Sequence, residues 1–148
     1  MKNVLLFIGI FCLLNFEVKS QNQVDTTVIY RIDSVEEMPE FPGGIKALSD
    51  LINNNLIYPK LASKYKAEGK VLIAFTLLRT GELVNFKVLK SSYTPIENED
   101  SDRKLAFESL DNEALRIIKL SPNWYPAKIN GIPVKIGKMT IPIQFTLQ

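Results

Sequence analysis

Residues 70–89 read Lys70-Val71-Leu72-Ile73-Ala74-Phe75-Thr76-Leu77-Leu78-Arg79-Thr80-Gly81-Glu82-Leu83-Val84-Asn85-Phe86-Lys87-Val88-Leu89. The first arm alternates. Val71, Ile73, Phe75 and Leu77 fall on one face, and Leu72, Ala74 and Thr76 on the other. In the second arm Val84, Phe86 and Val88 share a face, with Asn85 and Lys87 opposite. A period of two carried by β-branched and aromatic residues predicts two strands. Arg79-Thr80-Gly81-Glu82 between them predicts a tight turn, closed by Gly81 in the left-handed conformation that glycine adopts without steric cost. A two-stranded ribbon with one apolar face does not stand alone in water; it needs a third strand or a helix. The remaining segments read as those covers.

Upstream, Val28, Tyr30 and Ile32 alternate with Ile29, Arg31 and Asp33, which predicts a short strand. Met38-Pro39-Glu40-Phe41-Pro42-Gly43-Gly44 excludes regular structure and fixes a bend, with Phe41 as an apolar peg. Ile45, Leu48, Ile52 and Leu56 recur at helical spacing and predict a helix over 44–55, stopped by Asn53-Asn54-Asn55. Tyr58-Pro59 restarts the chain, since proline is tolerated in a first helical turn. A short helix over 60–66 would turn Leu61, Ala62 and Tyr65 inward, and Gly69 would end it.

Downstream of the hairpin, Ser91 to Asp102 is polar and acidic. It lacks the glycine of a calcium loop, so it reads as a solvated connection whose acids favour the next helix N-terminus. That helix is predicted over 103–120, with Phe107, Leu110, Ala114, Ile117 and Ile118 as its buried stripe. Trp124 reads as core. Asn130-Gly131 is a turn, and the two-residue hairpin loop is one way to use it. Val134–Leu147 is the last strand, with Ile141, Ile143, Phe145 and Leu147 on one face. Pro142 cannot donate a ladder hydrogen bond, so that strand should have an open edge there.

The totals exclude several functions. The chain has 148 residues, room for one ordinary domain, and a formal charge of +2. That balance does not suggest a nucleic-acid surface. There is no histidine, and the only cysteine is Cys12. Imidazole and thiolate metal sites and Ser-His-Asp or Cys-His catalysis are therefore excluded, and no cofactor or enzyme activity is expected. The start, Met1-Lys2-Asn3 followed by an apolar run from Val4 to Leu14, predicts a secretory leader over 1–20 cut after Ser20. The alternative is an uncleaved anchor, for which the run is short against the roughly 20 residues that cross a bilayer. Residues 21–35 then form a flexible or short-strand lead-in, and 36–148 the folded domain.

The punctuation of that domain resembles the TonB C-terminal domain family, in its stand-alone Bacteroidetes-type form. The resemblance is carried in order by Pro39-Glu40-Phe41-Pro42-Gly43-Gly44, Tyr58-Pro59, Gly69-Lys70-Val71 with Phe75, and Gly81. It continues through Glu113-Ala114-Leu115-Arg116, Trp124-Tyr125-Pro126-Ala127-Lys128, Gly131-Ile132-Pro133-Val134 and Ile141-Pro142-Ile143-Gln144-Phe145. It implies an α+β fold: a βαββ-αβ core whose three-stranded antiparallel sheet has two main helices packed on one face. It also implies a periplasmic module of energy-coupled transport, gripping the TonB-box segment of an outer-membrane receptor by strand addition beside the last strand. Carried over residue by residue, the partner-binding positions are Tyr58, Pro59, Val134, Ile136, Met139, Ile141, Ile143 and Phe145. Neither a metal nor a nucleic-acid partner is implied; a homodimer through paired last strands is the alternative. A full transducer also carries a membrane helix and a long arm. With the leader removed, about 18 residues precede Pro39 in this sequence, a reach of roughly 60 Å.

Overall fold

A computed structural model describes residues 28–147. The leader predicted over 1–20 lies outside the described residues, as does the first part of the lead-in. Strand β1 (Gly69–Leu77) is the centre of a three-stranded antiparallel sheet in the order β2-β1-β5, flanked by β2 (Leu83–Lys90) and β5 (Ile136–Phe145). Val71, Ile73, Phe75 and Leu77 are all buried, as their alternation requires. Fully burying such a side chain contributes about 1.5–3 kcal/mol each. From β5, Ile136, Ile141, Ile143 and Phe145 join the same core.

Three helices cover that face. The long one, α3 (Ser101–Ile118), lies on β1 and β2, with α1 (Gly44–Asn55) and α2 (Lys60–Lys64) packed against it. Its buried stripe is Ala106, Phe107, Leu110, Ala114, Ile117 and Ile118. It starts two residues earlier than the periodicity predicts, because the Asp100 carboxylate caps it by accepting from the Asp102 N–H at 3.0 Å. Tyr65 Oη donates to both Asp100 and Asp102, and its phenol is pushed up to about 12, chiefly by the Asp100 hydrogen bond. The acidic run thus serves the helix start, as its charge predicts. Among the described residues no helix is long and apolar enough to cross a membrane.

Three local expectations are corrected. Val84 does not share a face with Phe86 and Val88. The pairing of β1 with β2 slips between Thr76↔Val84 and Ala74↔Lys87, at Asn85, whose φ is 56°. One extra residue in a ladder reverses the facing of what precedes it. Leu83 packs on the core in place of Val84. Ile45 is 80% exposed, so the inward stripe of α1 is Leu48 with Leu51 and Ile52. The strand predicted over 28–32 is a single parallel bridge, Tyr30↔Ile136, followed by one 3₁₀ turn (Ile32–Ser34).

The bend at Pro39–Gly44 is pinned rather than free. Phe41 meets Trp124 edge-on at 5.7 Å, and Trp124 meets Phe75 at 5.7 Å. Glu40 and Tyr125 exchange backbone hydrogen bonds at 3.1 and 2.8 Å. Asn130-Gly131 makes the tight hairpin between β3 (Lys128–Ile129) and β4 (Ile132–Pro133), with both turn residues at positive φ.

Gly81 closes the β1–β2 turn at φ +87°, and its N–H donates to Leu78 O at 2.9 Å. It also touches the core lead-in: Trp124 N–H donates to Gly81 O at 2.8 Å. A Cβ on Gly81 would sit 2.0 Å from Trp124 O, whereas one on Gly131 would meet nothing within 4 Å. Gly131→Ala is expected to cost about 1–2 kcal/mol of left-handed strain. Gly81→Ala adds displacement of the Trp124 backbone and is expected to cost about 3–4 kcal/mol. Urea unfolding followed by the fluorescence of the single tryptophan checks this; equal losses in the two variants would refute it.

Candidate functional site

β1 is regular, and its backbone groups alternate between its two neighbours. Leu78 N–H donates to Glu82 O across the hairpin at 2.8 Å, which directs the even-numbered residues of β1 at β2. The odd-numbered ones face β5 and pair Phe75↔Met139, Ile73↔Ile141, Val71↔Ile143 and Gly69↔Phe145. The backbone N–H and C=O groups of Thr140, Pro142 and Gln144 therefore point away from β1, to the outer edge of β5. Pro142, without an N–H, sits where the ladder needs no donor, so its placement matches the open edge predicted from it.

That edge is occupied at one end only. Tyr30 N–H donates to Lys135 O at 2.9 Å, and Gly137 N–H donates to Tyr30 O at 3.2 Å. Beyond them a bulge at Lys138, φ 60°, separates the pairs Leu77↔Ile136 and Phe75↔Met139. From Thr140 to Gln144 no described residue pairs with the outer side. The edge then runs past Phe145 toward an open groove of about 520 Å³, lined by Leu56, Tyr58, Lys60, Ser63, Thr146 and Leu147.

Tyr58 forms the wall of this groove. Its ring meets Phe145 edge-on at 6.1 Å, and its hydroxyl donates to Ala67 O at 2.5 Å. Burial, followed by the charge of Glu68, raises its pKa. Pro59 caps α2, and its carbonyl accepts from Ser63 N–H at 2.9 Å. The Leu56–Pro59 segment is held from below by α3. Glu113 Oε1 accepts from Ile57 N–H at 2.7 Å, and Arg116 grips Glu113 through two bonds of 2.7 Å. Arg116 also donates to Asn55 O at 2.6 Å. Burial alone would raise the Glu113 pKa, but the Arg116 guanidinium and the Ile57 N–H outweigh it and hold the carboxyl below its usual range.

The residues predicted for partner contact divide into two groups. Tyr58 and Pro59 come together with Phe145 at the groove. Val134, Ile136, Ile141, Ile143 and Phe145 are core residues, and Met139 packs against the core. Their side chains point under the helices, and from Met139 to Phe145 the backbone groups of the odd residues are directed at β1. The exposed side chains and the outward backbone groups belong to their even-numbered neighbours, Thr140, Pro142 and Gln144. The sequence pattern places Thr140 and Gln144 on the outward face. Only the register with β1 shows that their backbone also faces the open edge.

The family described as Gram-negative bacterial TonB protein C-terminal matches residues 54–147. The chain belongs to this family. Protein TonB of Campylobacter coli is 27% identical over 116 residues, covering 78% of this chain and 43% of the relative. Protein TonB of Helicobacter pylori is 31% identical over 91 residues, covering 62% of this chain and 26% of the relative. The chain thus spans less than half the length of these relatives. Two solution structures of the Helicobacter pylori TonB C-terminal domain are similar at 26% and 25% identity. They cover 70% and 69% of this chain, with TM-scores of 0.38 and 0.36.

Glu113→Gln is expected to cost about 1–3 kcal/mol at neutral pH, the loss of a charged and buried hydrogen-bond acceptor. Because the folded pKa is depressed, the wild-type advantage is full above the unfolded pKa of about 4.3 and fades as pH falls through the folded value. Urea midpoints of the two proteins at neutral pH and well below pH 4 check this. A gap that stays constant with pH would show that the ion pair does not hold the segment.

Proposed function

We propose that the chain is a periplasmic protein-binding module of energy-coupled outer-membrane transport. Its ligand is an extended segment of a TonB-dependent receptor, the TonB box, which adds as a fourth strand to the outer edge of β5. Membership of the TonB C-terminal family supports this reading, and the observation that carries it is the unpaired edge from Thr140 to Gln144. Exposed N–H and C=O groups on a strand edge are a template for an incoming chain.

Thr140 and Gln144 each offer a donor and an acceptor, and Pro142 an acceptor. Five bonds at about 0.5–1.5 kcal/mol net amount to roughly 2.5–7.5 kcal/mol. Association itself costs at least about 4 kcal/mol. Backbone pairing alone therefore gives a weak grip, and the groove beside Tyr58 supplies the rest by burying an apolar side chain against Leu56 and Leu147. Tyr30 on Lys135 and Gly137 acts as an end-stop, so the added strand starts beyond Lys138. A weak, reversible hold suits a coupling module, whose partner must be released after each cycle.

Titrating the labelled protein with a box peptide is expected to shift the amides of Thr140, Gln144, Thr146 and Leu147 and the ring signals of Tyr58. Thr140→Pro removes one outward N–H and is expected to weaken binding about 2- to 10-fold, with the fold retained. Ile141→Pro strikes the β1 side and is expected to unfold the sheet. Shifts confined to the helices, or undiminished affinity in Thr140→Pro, would contradict strand addition. Concentration-dependent sedimentation without peptide would instead assign the edge to a second copy.

A further inference from the structure

The sheet has a second face, which no helix among the described residues covers. Its three strands contain four lysines, Lys70, Lys87, Lys90 and Lys138, and not one Asp or Glu. Register places the first three on that helix-free face: Lys70 pairs with Gln144, Lys87 with Ala74, and Lys90 with Leu72. None of the four is in an ion pair among the described residues. The chain as a whole is nearly neutral, so this is segregation of charge and not a general excess.

Two of the lysines border a hollow. Ala74, Phe75, Thr76, Asn85, Lys87 and Lys138 line an open depression of about 220 Å³ across the middle of the sheet. Its floor is the small residue Ala74, and Thr76 and Asn85 add polar groups. Both edge strands bulge at this level, through the left-handed residues Asn85 and Lys138. Bulges re-aim side chains and recur beside functional surfaces.

We propose that this face is specific for an acidic polypeptide: the segment added to β5 carries carboxylates on its helix-free side, drawn by Lys138 and the hollow between Lys138 and Lys87. The proposal rests on the reading that β5 takes an extended partner. Side chains of an added strand alternate between the two faces of the sheet, so every second one lies over this surface beside Thr140. Polypeptide carboxylate is favoured over nucleic acid because the three strands place no aromatic ring for stacking a base and no arginine fork for phosphate on this face, and Arg31, which shares an open depression with Lys138, is engaged by Asp33 at 3.1 Å.

The test uses three peptides of equal length that span the edge. Two carry Glu at alternate positions, in opposite phases, and the third carries Gln throughout. One Glu phase is expected to bind about 2- to 10-fold tighter than the Gln peptide at low salt, the range for one or two exposed charge pairs. Lys87→Gln with Lys138→Gln, or salt raised to about 0.5 M, is expected to erase that advantage without abolishing binding of the Gln peptide. If all three peptides bind alike, the charge proposal falls and the edge reading stands. If none binds, both fall. If inorganic polyphosphate binds as tightly as the better Glu peptide, the face is a general polyanion surface and the proposal is overturned. If the lysine variants bind all peptides as the wild type does but self-associate, the lysines only guard the edges, which also overturns it.

Discussion

The antiparallel ladder between β1 and β5 sets everything else in the molecule. It joins residues about 70 positions apart in the chain, from Gly69↔Phe145 to Leu77↔Ile136. Because β1 is already paired to β2 on its other side, β5 becomes an outer strand with one satisfied flank and one that, among the described residues, is open from Thr140 to Gln144. The same register decides which side chains go under the helices and which backbone groups face outward. A slip of one residue would exchange both sets at once. The eight apolar side chains that β1 and β5 bury on one face make such a slip costly.

Around that ladder the remaining contacts fix position rather than create the fold. Trp124 ties the Phe41 bend and the Gly81 turn to Phe75. Glu113 and Arg116 tie the Leu56–Pro59 segment to α3. The first contact sets the far end of the sheet, and the second sets the groove beyond Phe145. Between them lies the Thr140–Gln144 edge, bounded by Tyr30 at one end and by Tyr58 at the other. The proposed partner strand therefore has a defined length and a defined stop, although no side chain of β5 is aimed at it along the edge.

The hairpin over 70–89, the three helices, the Asn130-Gly131 turn and the last strand were all legible in the sequence, because period-two and helical spacing report burial on one side. The misassigned residues share a cause. Val84 looked inward because alternation was counted through Asn85, and a bulge there is invisible to a pattern of apolar residues. Ile45 matched the helical spacing but lies in the first turn of α1, where its side chain is exposed. The partner-binding residues taken from the apolar face of the last strand have side chains buried in the core or packed against it for a related reason. Hydrophobic alternation marks what is buried, whereas strand addition uses backbone groups whose direction depends on a partner strand far away in sequence. Pro142 was the one local signal of the open flank, since a missing donor is tolerated only where the ladder is absent.

The central claim is that alternate backbone amides of β5 face β1 and the open flank. Amide hydrogen exchange of the protein alone, resolved residue by residue across 139–145, tests it most directly. The account predicts slow exchange at Met139, Ile141, Ile143 and Phe145, with fast exchange at Thr140 and Gln144. Equal protection at Thr140 and Gln144 in the absence of any partner would contradict it, because the outer side of β5 would then be already paired.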